Sequence, residues 1–493
     1  DHHDRRGLPA FAGPSTRAGV IRGRGLDRVR ARATSIGGGL AAVLALSLAA
    51  PSAVAAHTLN PTYTSRLPLA VYLAGAATTV ALSFIFVLVR DVRAERPPVT
   101  SEGRLPPAPL RVAIRAIGLI AWAWIIAQGI AGGGSSAEVT TLFLWVYGWV
   151  GVAIICALVG PIWQFLDPFS TLYDLGAWVI RRIGMAPWEV PPYPAGIGRW
   201  PAVVGFAVVT WLELVLAPGP DVLFVILVGY TALTLAMMAQ FGRDTWRSNA
   251  EIFTVWFRLL GRLAPFGLVD ESGRVRRRPF AGGLLEPGWR MSDVVMIGLG
   301  AGSILFDGLS QTQIWFDLFG FPLLPNETLL LAAFLGIIVA AAIAVTRVVG
   351  VAATGAGLLP IAVGYLIAHY LTYLLIDGQR IVIAMSDPLQ RGWDLLGTAF
   401  FEPSGAFLPP GLVWTVQLAA VVAGHMLGAW GGHVVASLEA PRGLVGRALT
   451  VRQVPLAVVM VALTTLTLWS LGQAIVVTPE QPPAAQAVAT SRG

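Results

Sequence analysis

A chain of 493 residues, 55% of them hydrophobic and only 12% charged, with mean hydropathy +0.70, excludes an ordinary soluble domain and points to repeated membrane crossing. The formal net charge of +7 invites nucleic acid as a partner. The arginines sit in loops between apolar runs, however, as the positive-inside rule requires, and lysine is absent, so no nucleic-acid partner is expected.

In chain order, residues 1–35 are rich in arginine and poor in apolar side chains. An apolar run follows at 37–50, then Pro51 and small residues to Ala56. This is the order of a secretory signal peptide, so 1–56 reads as a basic extension plus signal peptide, cleaved after Ala55 or Ala56; an uncleaved anchor is the alternative. Cleavage after Ala56 leaves His57 at the mature N-terminus, where its amine and ring offer nitrogen ligands to copper.

Residues 57–477 read as one all-α domain, a polytopic helical membrane bundle. About ten apolar runs have the length a membrane helix needs. They fall near 67–89, 113–131, 139–160, 200–217, 222–241, 292–306, 327–346, 356–376, 411–436 and 454–477. Residues 478–493 read as a disordered extracytoplasmic tail. Arginines crowd the loops 90–112, 161–199, 242–291 and 437–453, whereas 132–138, 218–221 and 307–326 have none. That asymmetry predicts a multi-pass plasma-membrane protein, with the lipid bilayer as its main partner and both mature ends outside. Segments 161–182 and 246–263 mix Trp and Phe with Arg, the pattern of helices lying in the headgroup plane. Cys156, the one cysteine, lies in an apolar run; it reads as a packing residue, and no cysteine-based metal site or disulfide framework is expected.

The run 411–436 carries Gly424, Gly428 and Gly432 at four-residue spacing, a stripe on which another helix can pack closely. His425 and His433 flank it. Eight residues separate them by about 12 Å along a helix, too far to share a metal. Each reads as hydrogen-bonded across helices, with a metal or haem ligand as the alternative.

The candidate site lies in the extracytoplasmic half. Tyr365, His369, Tyr373 and Asp377 recur at i, i+4 and form one polar stripe leading into Gly378-Gln379-Arg380. Glu213 sits one turn from the outer end of its span, and Asp307 ends the span that breaks into Gln311, Gln313, Trp315 and Asp317. Ionisable groups at membrane depth usually face a cavity or a partner. The expected catalytic set is His369, Asp307, Asp377 and Arg380, with Glu213, Gln311, Gln379 and Tyr373 binding substrate. A divalent metal on His369, Asp307 and Asp377 would activate water while Arg380 neutralises charge; haem is the less favoured cofactor. A structural hydrogen-bond network is the alternative reading.

Six segments carry a resemblance: LVGPIWQFLDPFSTLY (158–173), GRWPAVVGFAVVTWLELV (198–215), ILFDGLSQTQIW (304–315), AHYLTYLLIDGQR (368–380), SDPLQRGWDLLGTAFF (386–401) and GHMLGAWGGHVVA (424–436). Over about 140–440, in order and spacing, the chain resembles the actinobacterial multi-spanning membrane proteins commonly labelled fenitrothion hydrolase. The resemblance implies a membrane-bound hydrolase acting on aryl phosphorothioate triesters or similar organophosphates. It carries over no catalytic residues. The family's usual NPW reads Asp167-Pro168-Phe169 here, and its DR after the last histidine is replaced by Ser437-Leu438-Glu439. Both departures lie on the arginine-rich side. The alternatives from other classes are a transporter of small solutes or metal ions, and a membrane subunit partnering an extracytoplasmic redox or copper protein.

Overall fold

The computed structural model describes residues 106–133, 138–184, 190–269, 275–320, 324–440 and 447–471, together with the backbone of strand β1 (Ser101–Gly103). The signal segment, His57, the run at 67–89 and the tail 478–493 lie outside the described residues.

The chain is mostly helical, and seven of its helices are long and apolar enough to cross a membrane. They are α1 (Ala108–Ala131), α6 (Pro220–Phe241), α9 (Met291–Ser310), α11 (Leu324–Val349), α12 (Val351–Asp377), α14 (Pro410–Leu438) and α15 (Arg447–Leu471). Two shorter apolar helices, α2 (Leu142–Leu158) and α5 (Trp200–Leu216), match the runs at 139–160 and 200–217. Connecting pieces include α3 (Trp163–Leu166), α4 (Pro168–Arg182), α7 (Arg243–Asn249), α8 (Ile252–Leu260), α10 (Gln313–Phe319) and α13 (Ile381–Ser386). The apolar surfaces that α1, α6, α11 and α14 turn outward suit a lipid bilayer.

Burial divides the helices into two classes. The apolar windows of α9 and α12 are 89% and 83% buried, against 11% for α1 and 22% for α11. Polar side chains on α9 and α12 therefore meet protein, while α1 and α11 present apolar surface outward. The glycine stripe of α14 explains how tightly the centre closes. A Cβ at Gly424 would collide with the Pro360 carbonyl of α12, one at Gly428 with the Gly357 carbonyl, and one at Gly432 would come 3.3 Å from Ala353 O. Only glycine permits that approach of two backbones.

Three features depart from the expectations. A small antiparallel sheet, β1–β3–β2, joins β1 to β2 (Phe266–Val269) and β3 (Val275–Arg277). The segment 246–263 is no surface helix: α8 is buried at Ile252, Phe253, Thr254, Val255, Trp256, Phe257, Leu259 and Leu260. Its rings pack on Trp149, Phe206 and Trp163 at centroid distances of 6.4, 4.9 and 5.7 Å, so aromatic packing wins over the headgroup plane. By contrast, α4 keeps Leu175, Trp178 and Val179 exposed. Finally, α12 does not end in an open loop at Asp377. Gly378 keeps a right-handed φ of −58°, one tighter turn covers Gly378–Arg380, and α13 carries the helix on to Ser386.

Helix ends sort the molecule into two faces. The N-termini of α5, α9, α12 and α15 meet the C-termini of α2, α11 and α14 on the arginine-rich face. Their other ends form the opposite face, where the candidate site lies.

Candidate functional site

Asp307 occupies the last turn of α9 and His369 the outer half of α12. Gly308 brings the two helices together: a Cβ there would lie 2.9 Å from Tyr365 Oη and 3.4 Å from His369 Cε1. The His369 Nε2 and Asp307 Oδ2 atoms are 2.9 Å apart. Tyr370 Oη donates to the same Oδ2 at 2.9 Å, and Gln311 Nε2 donates to Oδ1 at 2.7 Å. All three partners can donate, so the carboxyl acts as an acceptor only, the behaviour of an ionised Asp. Charge-assisted bonds of this kind are the strong ones. With Asp307 ionised, His369 donates from Nε2, and Nδ1 makes no hydrogen bond among the described residues. Both side chains retain 16% exposure, so the pair is shielded without being sealed.

Glu213, on α5, lies within electrostatic reach of Asp307, and Trp149 hydrogen-bonds it. Both Glu213 and Trp149 stand on backbone wound one residue wider than an α-helix, at Leu212–Leu216 and Leu142–Val152. Such stretches are rare in helices and concentrate at functional sites. Ala217 closes the first of them with a left-handed φ of 40°.

The remaining expected residues divide. Gln311 belongs to the Asp307 cluster. Tyr373 stacks obliquely on Tyr370 at 6.4 Å and feels the charges of Asp377, Glu213 and Asp307. Asp377 pairs with Arg380 at 3.1 Å, about 12 Å along the helix axis from His369. Gln379 serves the chain rather than the cluster: it donates to Ser404 O at 2.9 Å and accepts from Ser404 N at 3.2 Å. Tyr365 turns to Ser470 of α15 at 3.0 Å.

The loop after α13 is tied down by its own hydrogen bonds and by α1. Ser386 Oγ donates to Asp394 Oδ1 at 2.7 Å, and Asp387 accepts from the amides of Arg391 and Gly392 at 2.7 and 2.8 Å. Trp124 Nε1 reaches Pro388 O at 2.7 Å, linking the loop to α1. The Ser386 hydroxyl, followed by the amides of Ala399, Thr398 and Gly397, holds the Asp394 carboxyl below its ordinary value.

Sequence reasoning missed Tyr370 and Trp149. Tyr370 lies beside His369 in the chain but off the i, i+4 stripe, and both side chains reach Asp307 Oδ2. Their rings sit edge to face at 4.6 Å.

Among the described residues no three His, Cys, Asp or Glu side chains come together to hold a metal. His369 and Asp307 spend their facing atoms on each other, and Asp377 is bonded to Arg380, so no step below runs through a metal. The other two span histidines are tied across to α15: His425 Nδ1 bonds Thr464 at 2.9 Å and His433 Nδ1 bonds Gln453 at 2.8 Å.

Comparison with family models, with curated proteins and with solved structures finds no match to this chain.

Proposed function

We propose that this is a multi-pass membrane enzyme, a general-base hydrolase of phosphotriester-like substrates, with His369 as the base. The observation that carries the reading is the Asp307–His369 pair at 2.9 Å, partly buried in a helical bundle, with no hydrogen bond on Nδ1 among the described residues. The resemblance to the fenitrothion hydrolase family supplies the substrate class. The bundle is read with about ten spans after a signal peptide, and with the site facing out, because the arginine-rich loops lie at the other face.

His369 Nδ1 takes a proton from water as its oxygen bonds to phosphorus. The bond from phosphorus to the aryl oxygen breaks, and the phenolate leaves with the electron pair. Asp307 holds the imidazolium formed, as an orienting carboxylate does beside a histidine base. Tyr370 and Gln311 fix the carboxylate. Triester and water become diester and phenol, and His369 returns its proton to the phenolate. The test is release of 4-nitrophenol from a 4-nitrophenyl phosphotriester by detergent-purified protein. Turnover that disappears in His369→Gln supports the reading; no turnover by the wild type sinks it.

One observation favours a second reading. Glu213 lies within electrostatic reach of Asp307 in the bundle, and carboxyl groups at membrane depth mark ion or proton paths. Proteoliposomes that show proton-coupled uptake, abolished in Glu213→Gln, together with no ester hydrolysis, would favour transport.

A further inference from the structure

The opposite face holds a second built site. A cavity of about 240 Å³ is lined by Arg199, Arg258, Arg262, Arg276 and Arg278, against one carboxylate, Glu286. It lies beyond the N-terminus of α9, whose other end carries Asp307, so the two sites stand about 25 Å apart along one helix.

Each arginine can be accounted for in turn. Arg278 pairs with Glu286 at 2.7 Å. Arg262 is spent on the carbonyls of Gly283, Glu286 and Pro287 at 3.0–3.1 Å and lies 4.1 Å over Trp289. Arg199 gives one terminal nitrogen to Asp293 at 2.7 and 2.8 Å. Its Nε is buried without an acceptor among the described residues. Arg258 makes no hydrogen bond or ion pair among the described residues. Burial, then Arg199 and Arg247, pull its pKa down to about 10 against the opposite charge of Asp293, so it is still charged at neutral pH. Arg276 lines the mouth, exposed, with no described partner.

Two uncommitted cations and an orphaned guanidinium N–H converge on a cavity with one carboxylate, itself engaged. Buried donors and charges are ordinarily paired, so the cavity lacks an acceptor of high negative charge. Guanidinium forks suit tetrahedral phosphate oxygens. A basic pocket between the ends of membrane helices is also where anionic lipid headgroups dock.

We infer that this cavity is a phosphate-binding site, taking either a phospholipid headgroup or a free phosphate. Nothing in the proposed ester hydrolysis enters this inference, which stands or falls apart from it.

The test uses the full chain in nanodiscs. Melting is followed against inorganic phosphate, with sodium chloride at matched ionic strength, and in phosphatidylglycerol against phosphatidylcholine discs. The expected result is a saturable rise in melting temperature with phosphate, with phosphatidylglycerol, or with both. Phosphate alone assigns a free anion; phosphatidylglycerol alone assigns a lipid. Arg258→Gln should weaken the effect at least tenfold. Arg276→Gln, at the exposed mouth, does the same without a folding risk. Arg347→Gln, an exposed arginine of the same face outside the cavity, should leave it unchanged. No rise beyond matched chloride in either series overturns the inference, and so does a rise that Arg258→Gln and Arg276→Gln both retain.

Discussion

At the scale of single residues, the Asp307 carboxylate decides what the site is. It gathers three donors from three positions, and each should leave a different mark when removed. Tyr370→Phe deletes one hydrogen bond to Oδ2 and leaves His369 in place. We expect a stability loss of about 1–3 kcal/mol, because a buried acceptor loses a partner, with a modest loss of turnover. Asp307→Asn keeps the shape but can turn an N–H towards His369, favouring the wrong tautomer. Turnover should fall by about 10²–10⁴-fold, the range such a change costs a histidine base. Steady-state phenol release by the two variants separates these outcomes. His369 and Asp307 were both legible in the sequence, as ionisable groups in apolar runs. Tyr370 was not, because an aromatic beside a histidine carries no periodic signal, and its partner lies 63 residues away.

At the scale of elements, close packing of α14 on α12 and the loop after α13 invite separate tests. Gly428→Leu would drive a side chain into the Gly357 carbonyl and within 3.0 Å of Met460 Cε. Overpacking of this kind costs about 1–3 kcal/mol or more. Met426→Leu, at a position 50% exposed on the same helix, should be near neutral. Thermal melting of the two variants in one detergent checks the contrast. The loop should respond to acid. The folded state holds Asp394 below its ordinary value of 3.8. The stability this gives is therefore present in full above that value and is lost as pH falls through the lower folded value. Amide exchange in 394–399 should accelerate below pH 3.8, and Asp394→Asn should remove that pH dependence. The glycine stripe was readable from four-residue spacing alone. The continuation of α12 through Gly378 was not, because glycine and polar residues read as a break unless one sees the backbone stay right-handed. Burial of α8 was equally hidden: its Trp and Phe suit a headgroup plane and an aromatic core alike, and only contacts with Trp149 and Phe206 decide.

At the scale of the molecule, the two faces differ in charge and in chemistry. One carries the arginine cavity; the other carries the Asp307–His369 pair and a loop with Leu395, Leu396 and Phe400 exposed. The arginine asymmetry was plain in the sequence, since it depends on composition and not on contacts. Which arginines would converge was not, because Arg199, Arg258 and Arg276 come from three separate elements. The single buried cysteine makes orientation simple to measure. Arg276→Cys and Phe400→Cys each add one exposed thiol. In intact cells a membrane-impermeant maleimide should label Phe400→Cys and spare Arg276→Cys. The reverse pattern would place the site on the cytoplasmic side.

The account turns on whether the Asp307–His369 pair performs chemistry or only locks α9 to α12. Melting temperature and 4-nitrophenyl phosphotriester turnover, measured on the same preparations of wild type and His369→Gln, distinguish the two. The account predicts that His369→Gln, whose amide can still reach Asp307, melts close to the wild type and loses turnover. A variant that melts far lower, while its folded fraction hydrolyses the ester at the wild-type rate, would contradict it.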